Sequence, residues 1–396
     1  MLTLDKVFNA QTILKNIVRE TKLVRAYGIA PDCELYLKPE NLQITGSFKV
    51  RGSAYKIAML SDEEKSRGVI ACSAGNHAQG VALAATKNGI RSLICLPDTA
   101  PISKVEATKG YGAEVCLVEG CYDDAYQKAL ELRDSKGYTF VHPFDDENVI
   151  AGQGTIALEI LNELDNIDAI VVPIGGGGLI SGIAYTAKQI RPSIKIYGVQ
   201  VVGAPSMYNS VRNGEIECLS CVSTIADGIA VKQPGESTFR YVSEYVDDIV
   251  LVNDDEVSGA ILALIEKQKM IAEGAGATAV AAVMSGKIDL RGKRVVAVVS
   301  GGNIDVTSLS RVIDRGLLNS GRSTSLLIEL IDKPGQLKEI SRIIADCGGN
   351  VTGVHYEKGN TESVNGCFLR IEMETRDFDH VNLITKTLRD EGFKLI

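Results

Sequence analysis

Residues 169–179 read Ala-Ile-Val-Val-Pro-Ile-Gly-Gly-Gly-Gly-Leu, a short apolar run that leads into four consecutive glycines. The run at 169–173 is typical of a buried strand, and residues 179–190 have the apolar spacing of a helix. Glycine lets the backbone approach an anion closely, and the first turn of a helix offers unpaired N–H groups. The stretch therefore predicts a strand–loop–helix unit that binds a phosphate group. The residues of this predicted phosphate loop are Gly175, Gly176, Gly177, Gly178 and Leu179.

Two other interpretations of the glycine run stay open at this point. A dinucleotide-binding loop of the G-x-G-x-x-G kind is followed by an acidic residue at the end of the next strand, where this chain has Gln200. A plain tight turn between strand and helix needs one or two glycines, and this chain has four. Phosphate binding is the favoured interpretation.

Strand and helix patterns alternate through the first three quarters of the chain. Such alternation is typical of parallel sheets with helices on both faces, so the predicted fold class is α/β. Besides 169–173, we predict strands at 68–72, 92–96 and 294–299, and helices at 52–60, 78–88, 103–109, 122–135, 179–190 and 255–269.

The pattern restarts near residue 320, after a polar stretch at 317–323 that we interpret as a linker. The order strand, helix, strand, strand, helix, strand predicts a ferredoxin-like domain. Its predicted strands are 325–331, 351–356, 366–374 and 393–396, and its predicted helices are 336–347 and 377–389. The predicted domains are therefore residues 1–318 and residues 324–396.

Composition excludes several classes of protein. The 396 residues carry a net charge of −8, which argues against a nucleic-acid-binding surface. No apolar run is long enough to cross a bilayer, and the first residues do not resemble a signal peptide. The nine cysteines are irregularly spaced, as expected in the reducing cytoplasm, and the Cys218–Cys221 pair is interpreted as structural or surface thiols. We expect a cytoplasmic protein without a metal site, a membrane contact or a nucleic-acid partner.

Two further segments carry candidate functional residues. In Ser-Phe-Lys-Val-Arg-Gly (47–52), the positive end of the helix predicted at 52–60 would lower the pKa of Lys49 and favour it as a nucleophile. In Ser-Ala-Gly-Asn-His-Ala-Gln-Gly (73–80), Ser73 or Asn76 could cap the following helix. Alternatively, the N–H groups of that helix start could bind a carboxylate. His77 is a weaker candidate for a general base, because no acid or serine partner is evident.

Taken in order, SFKVRG (47–52), SAGNHAQG (73–80), GGGGL (175–179) and SGGN (300–303) resemble the fold-type-II pyridoxal-phosphate (PLP) enzymes, most closely the threonine ammonia-lyases. The resemblance covers about residues 10–315. It implies two open twisted α/β subdomains, the small one (about 50–152) inserted in the large one. The tail, with its Asp-Lys-Pro-Gly-Gln-Leu turn (332–337), resembles an ACT domain, a small amino-acid-sensing module.

The resemblance also implies roles for individual residues. Lys49 would be the catalytic lysine that binds PLP, Phe48 would pack near the ring, and the phosphate loop would hold the cofactor's phosphate. Asn76 would contact the phenolic oxygen, and Ser300 would face the pyridine nitrogen. The substrate carboxylate would bind among Ser73, Ala74, Gly75, Asn76 and His77.

The implied reaction converts L-threonine to 2-oxobutanoate and ammonia, with L-serine to pyruvate as a side activity. The family further implies a homodimer or homotetramer. As effector of the tail, isoleucine or valine would fit a biosynthetic enzyme, and a nucleotide such as AMP would fit a catabolic one. Three alternatives remain. A serine racemase would carry a serine at Ala74 and acids at Gln200 and Ser206. Cysteine-synthase-like enzymes typically read TSGNTG where this chain reads SAGNHAQG. A non-catalytic amino-acid sensor would have no need of Lys49.

Overall fold

A computed structural model describes residues 1–357 and 366–396 of the chain. The chain folds into two units, Met1–Val306 and Thr307–Ile396. The helices of the first unit are α1 (Leu4–Leu14), α2 (Lys49–Ala58), α3 (Asp62–Arg67), α4 (Asn76–Lys87), α5 (Ile102–Gly110), α6 (Tyr122–Lys136), α7 (Glu147–Glu163), α8 (Gly178–Ile190), α9 (Ser206–Asn213), α10 (Glu236–Tyr245), α11 (Asp254–Ala263) and α12 (Gly274–Met284). Its strands are β1 (Val24–Arg25), β2 (Glu34–Pro39), β3 (Val69–Cys72), β4 (Ser92–Pro97), β5 (Glu114–Val118), β6 (Thr139–Phe140), β7 (Ala169–Pro173), β8 (Lys195–Val201), β9 (Asp248–Val252) and β10 (Arg294–Val299).

The larger sheet of the first unit has the order β1-β2-β10-β7-β8-β9. All its pairs are parallel except β1 with β2. The strand β10 reads Arg-Val-Val-Ala-Val-Val and is buried from Val295 onward, as expected for a parallel strand with both faces covered. Helices α7 and α8 pack on this sheet through Ile156, Ile160, Ile180 and Ile183.

The smaller sheet is formed entirely from chain between β2 and β7 of the larger one. Its order is β5-β4-β3-β6, and every pair is parallel. Helices α2 and α4 share a core with β3 and β4 through Ala54, Ala71, Val81 and Ile94. The two sheets confirm the predicted α/β class with one open sheet inserted into another; the limits at about 50 and 152 stay a prediction.

The second unit contains helices α13 (Val306–Asn319, which begins at the boundary), α14 (Gln336–Asp346) and α15 (Phe378–Asp390), and strands β11 (Ser323–Ile331), β12 (Asn350–Glu357), β13 (Gly366–Glu374) and β14 (Lys394–Leu395). The sheet order is β12-β13-β11-β14, and all pairs are antiparallel. This is the ferredoxin-like arrangement predicted for the tail. Its core includes Ile328, Ile340, Leu369 and Ile384.

Three local predictions were wrong. The helix after the lysine segment begins at Lys49, not at residue 52. The helix predicted at 255–269 is interrupted, because α11 gives way to a π-helical turn at Leu264–Gln268. The linker predicted at 317–323 is mostly regular structure: α13 continues to Asn319, since the apolar spacing from Val312 extends into it, and β11 begins at Ser323. The two units also divide at residue 306, so α13 is counted with the tail.

Candidate active site

Parallel strands place the sequence-predicted site residues at their carboxyl ends. The lysine segment comes after β2, the asparagine segment directly after β3, and the phosphate loop directly after β7. Ser300 is the first residue beyond β10. Crevices at the carboxyl ends of strands are where open α/β sheets bind their ligands.

Lys49 is the first residue of α2, and its amine is partly withdrawn from water. Nζ donates a hydrogen bond to the carbonyl oxygen of Pro143 at 2.9 Å and lies 5.3 Å from the centroid of the Phe48 ring. Burial lowers the pKa of Lys49 to about 8, and the charge of Glu273 opposes that change. Desolvation, rather than the helix end that the sequence predicts, is therefore the main cause of the lowered pKa.

The lysine segment is attached to the end of β10. The backbone N–H of Phe48 donates to the carbonyl oxygen of Ser300 at 3.1 Å, and Ser47 forms an isolated antiparallel β-bridge with Gly301. Ser300 is 3% exposed, and its hydroxyl donates to the carbonyl oxygen of Ala275 at 3.3 Å. The hydroxyl is therefore close to the lysine segment and makes only one long hydrogen bond within the described residues.

A loop that the sequence analysis missed, residues 142–146, connects the separate parts of the site. His142 Nδ1 accepts from the N–H of Asp145 at 2.8 Å, which fixes the turn that presents the Pro143 carbonyl to Lys49. The Asp145 carboxylate accepts from three N–H groups in the first turn of α10. The Asp146 carboxylate caps α7 and pairs with Lys56 of α2 at 2.6 Å.

The phosphate loop is packed too closely for any side chain at several positions. A Cβ on Gly176 would stand 2.4 Å from the ring of Phe144, and one on Gly178 would stand 2.9 Å from the Phe144 backbone. Gly177 has φ 96° and is the N-cap of α8. The Thr238 hydroxyl donates to the Gly176 carbonyl oxygen at 2.6 Å, so that oxygen is turned towards Thr238. The first-turn N–H groups of α8 have no acceptor within the helix, as a bound phosphate requires.

The asparagine segment leaves the start of α4 without a side-chain cap. The N-cap is Gly75, and neither Ser73 nor Asn76 caps the helix, so the capping interpretation is wrong. The Ser73 hydroxyl accepts from the Gly75 N–H at 3.2 Å, and a Cβ on Gly75 would meet no described atom within 4 Å. The first N–H groups of α4 have no acceptor within the helix, and the space beside Gly75 is open, an arrangement that suits a small carboxylate.

The amide of Asn76 is bound by two residues that the sequence analysis did not select. Its Nδ2 donates to Oε1 of Glu273 at 2.6 Å, and its Oδ1 accepts from Nδ2 of Asn303 at 2.7 Å. Burial raises the pKa of Glu273 to about 7, and the nearby charge of Asp227 adds to the increase. No sequence signal separates Glu273 from the other acidic residues, because its position depends on the end of β10.

The His77 side chain lies in the protein core, where it does not suit the general-base role considered from the sequence. It is 2% exposed, its Nε2 lies 2.8 Å from the Val141 carbonyl oxygen, and its Nδ1 lies 3.4 Å from the Ser53 hydroxyl. Burial lowers its pKa to about 3, and the charge of Lys49 lowers it further. The imidazole is therefore neutral and structural, and the geometry does not support it as a general base.

Gln200 and Ser206 stand where a serine racemase would carry acidic metal ligands, and both side chains form hydrogen bonds within the protein. Gln200 bonds the Ile174 carbonyl oxygen and the Tyr208 N–H, and Ser206 donates to the Val231 carbonyl oxygen. Across residues 1–357 and 366–396, no group of three or more His, Cys, Asp or Glu side chains is arranged to hold a metal ion. Within the same ranges, no helix has the length and apolarity that crossing a membrane requires.

These residues fit the functional groups of pyridoxal phosphate. Lys49 would supply an amine of lowered pKa for the aldehyde, and the phosphate loop would supply N–H groups for the phosphate. Asn76 and Ser300 would supply an amide and a hydroxyl for the polar atoms of the ring. A Cβ at Gly176 or Gly178 would collide with Phe144, so only glycine allows the loop to keep this backbone path, in which it can approach an anion closely.

Comparison with known proteins gives the same result. The family model described as pyridoxal-phosphate dependent enzyme matches residues 14–301. The L-threonine ammonia-lyase of Thermotoga maritima is 48% identical over 398 residues, which cover 100% of this chain and 99% of the relative. The chain therefore belongs to the pyridoxal-phosphate dependent enzymes, within the threonine ammonia-lyase family. Its cofactor is PLP, and the resemblance drawn from the four motifs is confirmed.

Solved structures of the same fold include enzymes of more than one activity. The processed form of threonine deaminase isoform 2 from Solanum lycopersicum has a TM-score of 0.76 at 39% identity and covers 80% of this chain and 90% of its own. Maize serine racemase has a TM-score of 0.75 at 35% identity, covering 80% and 98% respectively. The fold alone thus does not distinguish elimination from racemisation.

Proposed function

We propose that this enzyme converts L-threonine to 2-oxobutanoate and ammonia, with L-serine to pyruvate as a side activity. The proposal rests on two contacts made by adjacent residues. Pro143 accepts the hydrogen bond from the Lys49 amine, and Phe144 packs against the phosphate loop, so the amine and the loop belong to one site. The substrate is inferred from a relative named L-threonine ammonia-lyase that is 48% identical over the full chain.

Five residues of the phosphate loop, Gly175 to Leu179, would hold the cofactor phosphate with the N–H groups at the start of α8. Asn76 would donate to the phenolic oxygen, Phe48 would pack near the ring, and Ser300 would face the pyridine nitrogen. PLP bound here supplies an electron sink for negative charge at the substrate Cα. Ser300 is a neutral partner, so it does not force a proton onto the ring nitrogen.

Lys49 would move the proton of the reaction at its Nζ atom. A pKa of about 8 leaves a useful fraction of the amine neutral near pH 7, as a general base requires. The Pro143 carbonyl, which accepts from Nζ at 2.9 Å, holds the amine at the site. The substrate carboxylate would bind at the start of α4, among Ser73, Ala74, Gly75, Asn76 and the backbone N–H of His77.

Ala74 supports elimination over racemisation. A racemase needs a second proton donor on the opposite face of the substrate, and a methyl group has no exchangeable proton. The hydrogen-bonded Gln200 and Ser206 support the same choice, because neither is an acidic ligand for a divalent metal.

The test is a steady-state assay of 2-oxo acid from L-threonine and L-serine, with chiral analysis of the remaining amino acid. We expect 2-oxobutanoate from the wild type and near-complete loss of activity in Lys49→Ala, together with loss of the visible absorbance of lysine-bound PLP. Lys136→Ala, an exposed lysine at the end of α6, is the control and should match the wild type. D-Amino acid formation faster than 2-oxo acid would make the enzyme a racemase.

For the second unit we propose a regulatory ACT domain that binds isoleucine or valine. Gly335 is the N-cap of α14 with φ 95°, and a Cβ there would meet no described atom within 4 Å. The first turn of α14 is therefore open to a carboxylate. The alternative is a dimerisation module, supported by Val354 and Tyr356, which are 41% and 49% exposed on the edge strand β12.

We infer from the family resemblance that the enzyme assembles as a homodimer or homotetramer. We also infer a cytoplasmic location, supported by nine cysteines that are all free thiols. The negative net charge of −8 is consistent with the absence of a nucleic-acid partner.

A further inference from the structure

We propose that Glu273 is a positioning residue that fixes the amide of Asn76 for its contact with the cofactor's phenolic oxygen. The inference deepens the proposed function and rests on the contact proposed there for Asn76. No motif of the chain includes Glu273, and the structure alone brings it to the site.

The orientation of the Asn76 amide is determined from both sides. Nδ2 donates to the Glu273 carboxylate at 2.6 Å, and Oδ1 accepts from the Asn303 amide at 2.7 Å. A rotated amide would place its oxygen against the carboxylate and its nitrogen against another nitrogen. The amide nitrogen has two hydrogens, so one serves Glu273 and the second stays available for an acceptor on the cofactor.

Glu273 is itself held tightly. Its backbone N–H donates to the Gly301 carbonyl oxygen at 3.1 Å, and its side chain is largely enclosed, with the residue 5% exposed. A Cβ on Gly301 would stand 2.3 Å from Oε1, and one on Gly228 would stand 3.4 Å away. Asn303 is fixed in turn by a bond of 2.7 Å to the Thr45 carbonyl oxygen. The absence of a side chain at Gly301 thus leaves the space that the carboxylate fills.

A purely structural role does not account for this carboxylate. Glu273 is the N-cap of α12, yet its side chain makes no capping hydrogen bond. In the part of the chain that the structure describes, no lysine or arginine forms an ion pair with it. Its carboxylate instead accepts hydrogen bonds from the Asn76 amide and from the backbone N–H of Asn303. Burial of a carboxylate without an ion pair is unfavourable, so its position against Asn76 supports a role at the site.

The experiment is a double-mutant cycle on cofactor affinity. The Kd of PLP for the apoenzyme is measured for the wild type, Asn76→Ala, Glu273→Ala and the double variant, with the absorption maximum of the bound cofactor recorded in each. A charge-assisted hydrogen bond predicts that each single change raises Kd about tenfold. Because Glu273 acts through Asn76, the double variant should stay within about twofold of Asn76→Ala. Both single changes should move the absorption maximum in the same direction.

Two further variants complete the test. Glu273→Gln keeps an acceptor for Nδ2, so it should restore Kd to within about threefold of the wild type. If Glu273→Ala does not fold, Glu273→Leu, which fills the same space without an acceptor, takes its place in the cycle. Glu34→Gln, whose carboxylate pairs with Arg294 at the opposite end of the sheet, is the control without effect. Additive effects of the two alanine changes would overturn the positioning role. If Asn76→Ala leaves Kd and spectrum unchanged, the proposed cofactor contact fails instead.

Discussion

Arg51 and Glu40 form an ion pair that is withdrawn from solvent, with side chains 1% and 0% exposed. Nε and Nη2 of Arg51 each donate to a different carboxylate oxygen of Glu40 at 2.8 Å. Glu159 of α7 accepts from the same guanidinium at 2.6 and 2.8 Å and also pairs with the buried Lys38. Since Arg51 follows Lys49 in the first turn of α2, this network anchors the helix that carries the proposed catalytic amine.

Removal of the guanidinium should be strongly destabilising. Arg51→Met leaves Glu40 buried without its bidentate partner, and we expect a loss of about 3–5 kcal/mol in the free energy of unfolding. The measurement is denaturant unfolding of the apoenzyme. Arg67→Met, which breaks an exposed pair with Glu63, is the control and should cost less than about 1 kcal/mol. Equal effects of the two changes would show that burial of the network contributes nothing.

The same pair predicts how stability depends on pH. Burial alone would raise the pKa of Glu40, but the charge and hydrogen bonds of Arg51 outweigh it and hold the pKa below its ordinary value of 4.5. A lowered folded pKa gives stability that is present above pH 4.5 and lost as the pH falls through the folded value. The stability difference between wild type and Glu40→Gln should therefore be large at pH 7 and shrink below pH 4.5. A difference that is constant with pH would contradict this assignment.

A side chain introduced into the phosphate loop should weaken cofactor binding. Gly176→Ala places a methyl group 2.4 Å from the ring of Phe144, so the loop must shift away from the phosphate position. We expect the Kd of PLP to rise at least about tenfold, since a small displacement breaks several N–H contacts. Gly259→Ala in α11, where a Cβ would meet no described atom within 4 Å, is the matched control and should bind PLP normally. Normal binding by Gly176→Ala would remove the loop from the phosphate site.

Ser300→Ala should separate cofactor retention from turnover. The phosphate loop and Lys49 are unchanged, so PLP stays bound, while loss of one hydrogen bond to the ring costs on the order of 1 kcal/mol and lowers kcat severalfold. The serine's own bond to Ala275 is long, at 3.3 Å, so folding should be little affected. Spectral titration and steady-state kinetics measure the two effects. Failure to recover folded apoprotein would make Ser300 a structural residue.

The regulatory proposal is tested by the response to isoleucine, valine and AMP. A coupling of roughly 1–3 kcal/mol would change apparent threonine affinity 5- to 150-fold in the full-length enzyme. The response should disappear in a chain ending at Asn319, which keeps α13, and in Gly335→Ala, whose φ of 95° a side chain disfavours.

Gly392→Ala is the control, because it has the same kind of strain, at φ 87°, at another position of the same unit. It should leave the response intact. If the full-length enzyme ignores all three ligands and calorimetry finds no binding, the tail is a dimerisation module.

Local patterns in the sequence were enough to predict the fold class and the strands β3, β4, β7 and β10, but not β2, β5 or β9. The roles of Lys49 and the phosphate loop in binding the cofactor stay predictions. The glycine run and Lys49 could be selected because each carries its chemistry within a few consecutive residues. Glu273 and the loop at 142–146 could not, because their roles depend on contacts between segments more than 90 residues apart. The polar residues at 317–323 were interpreted as a linker, but the first of them belong to a helix whose apolar spacing begins well before residue 317.

The position of β10 has a consequence for the order of events during synthesis. This strand is the last of its sheet in the chain, yet it lies between β2 and β7, which do not pair with each other. Until residues 294–299 emerge from the ribosome, the nascent chain has two unjoined half-sheets with open edges. The Ser300 carbonyl that receives the Phe48 N–H is also missing until then. We therefore expect nascent chains to acquire PLP only after about three quarters of the polypeptide has been translated, and to need protection from aggregation before that point.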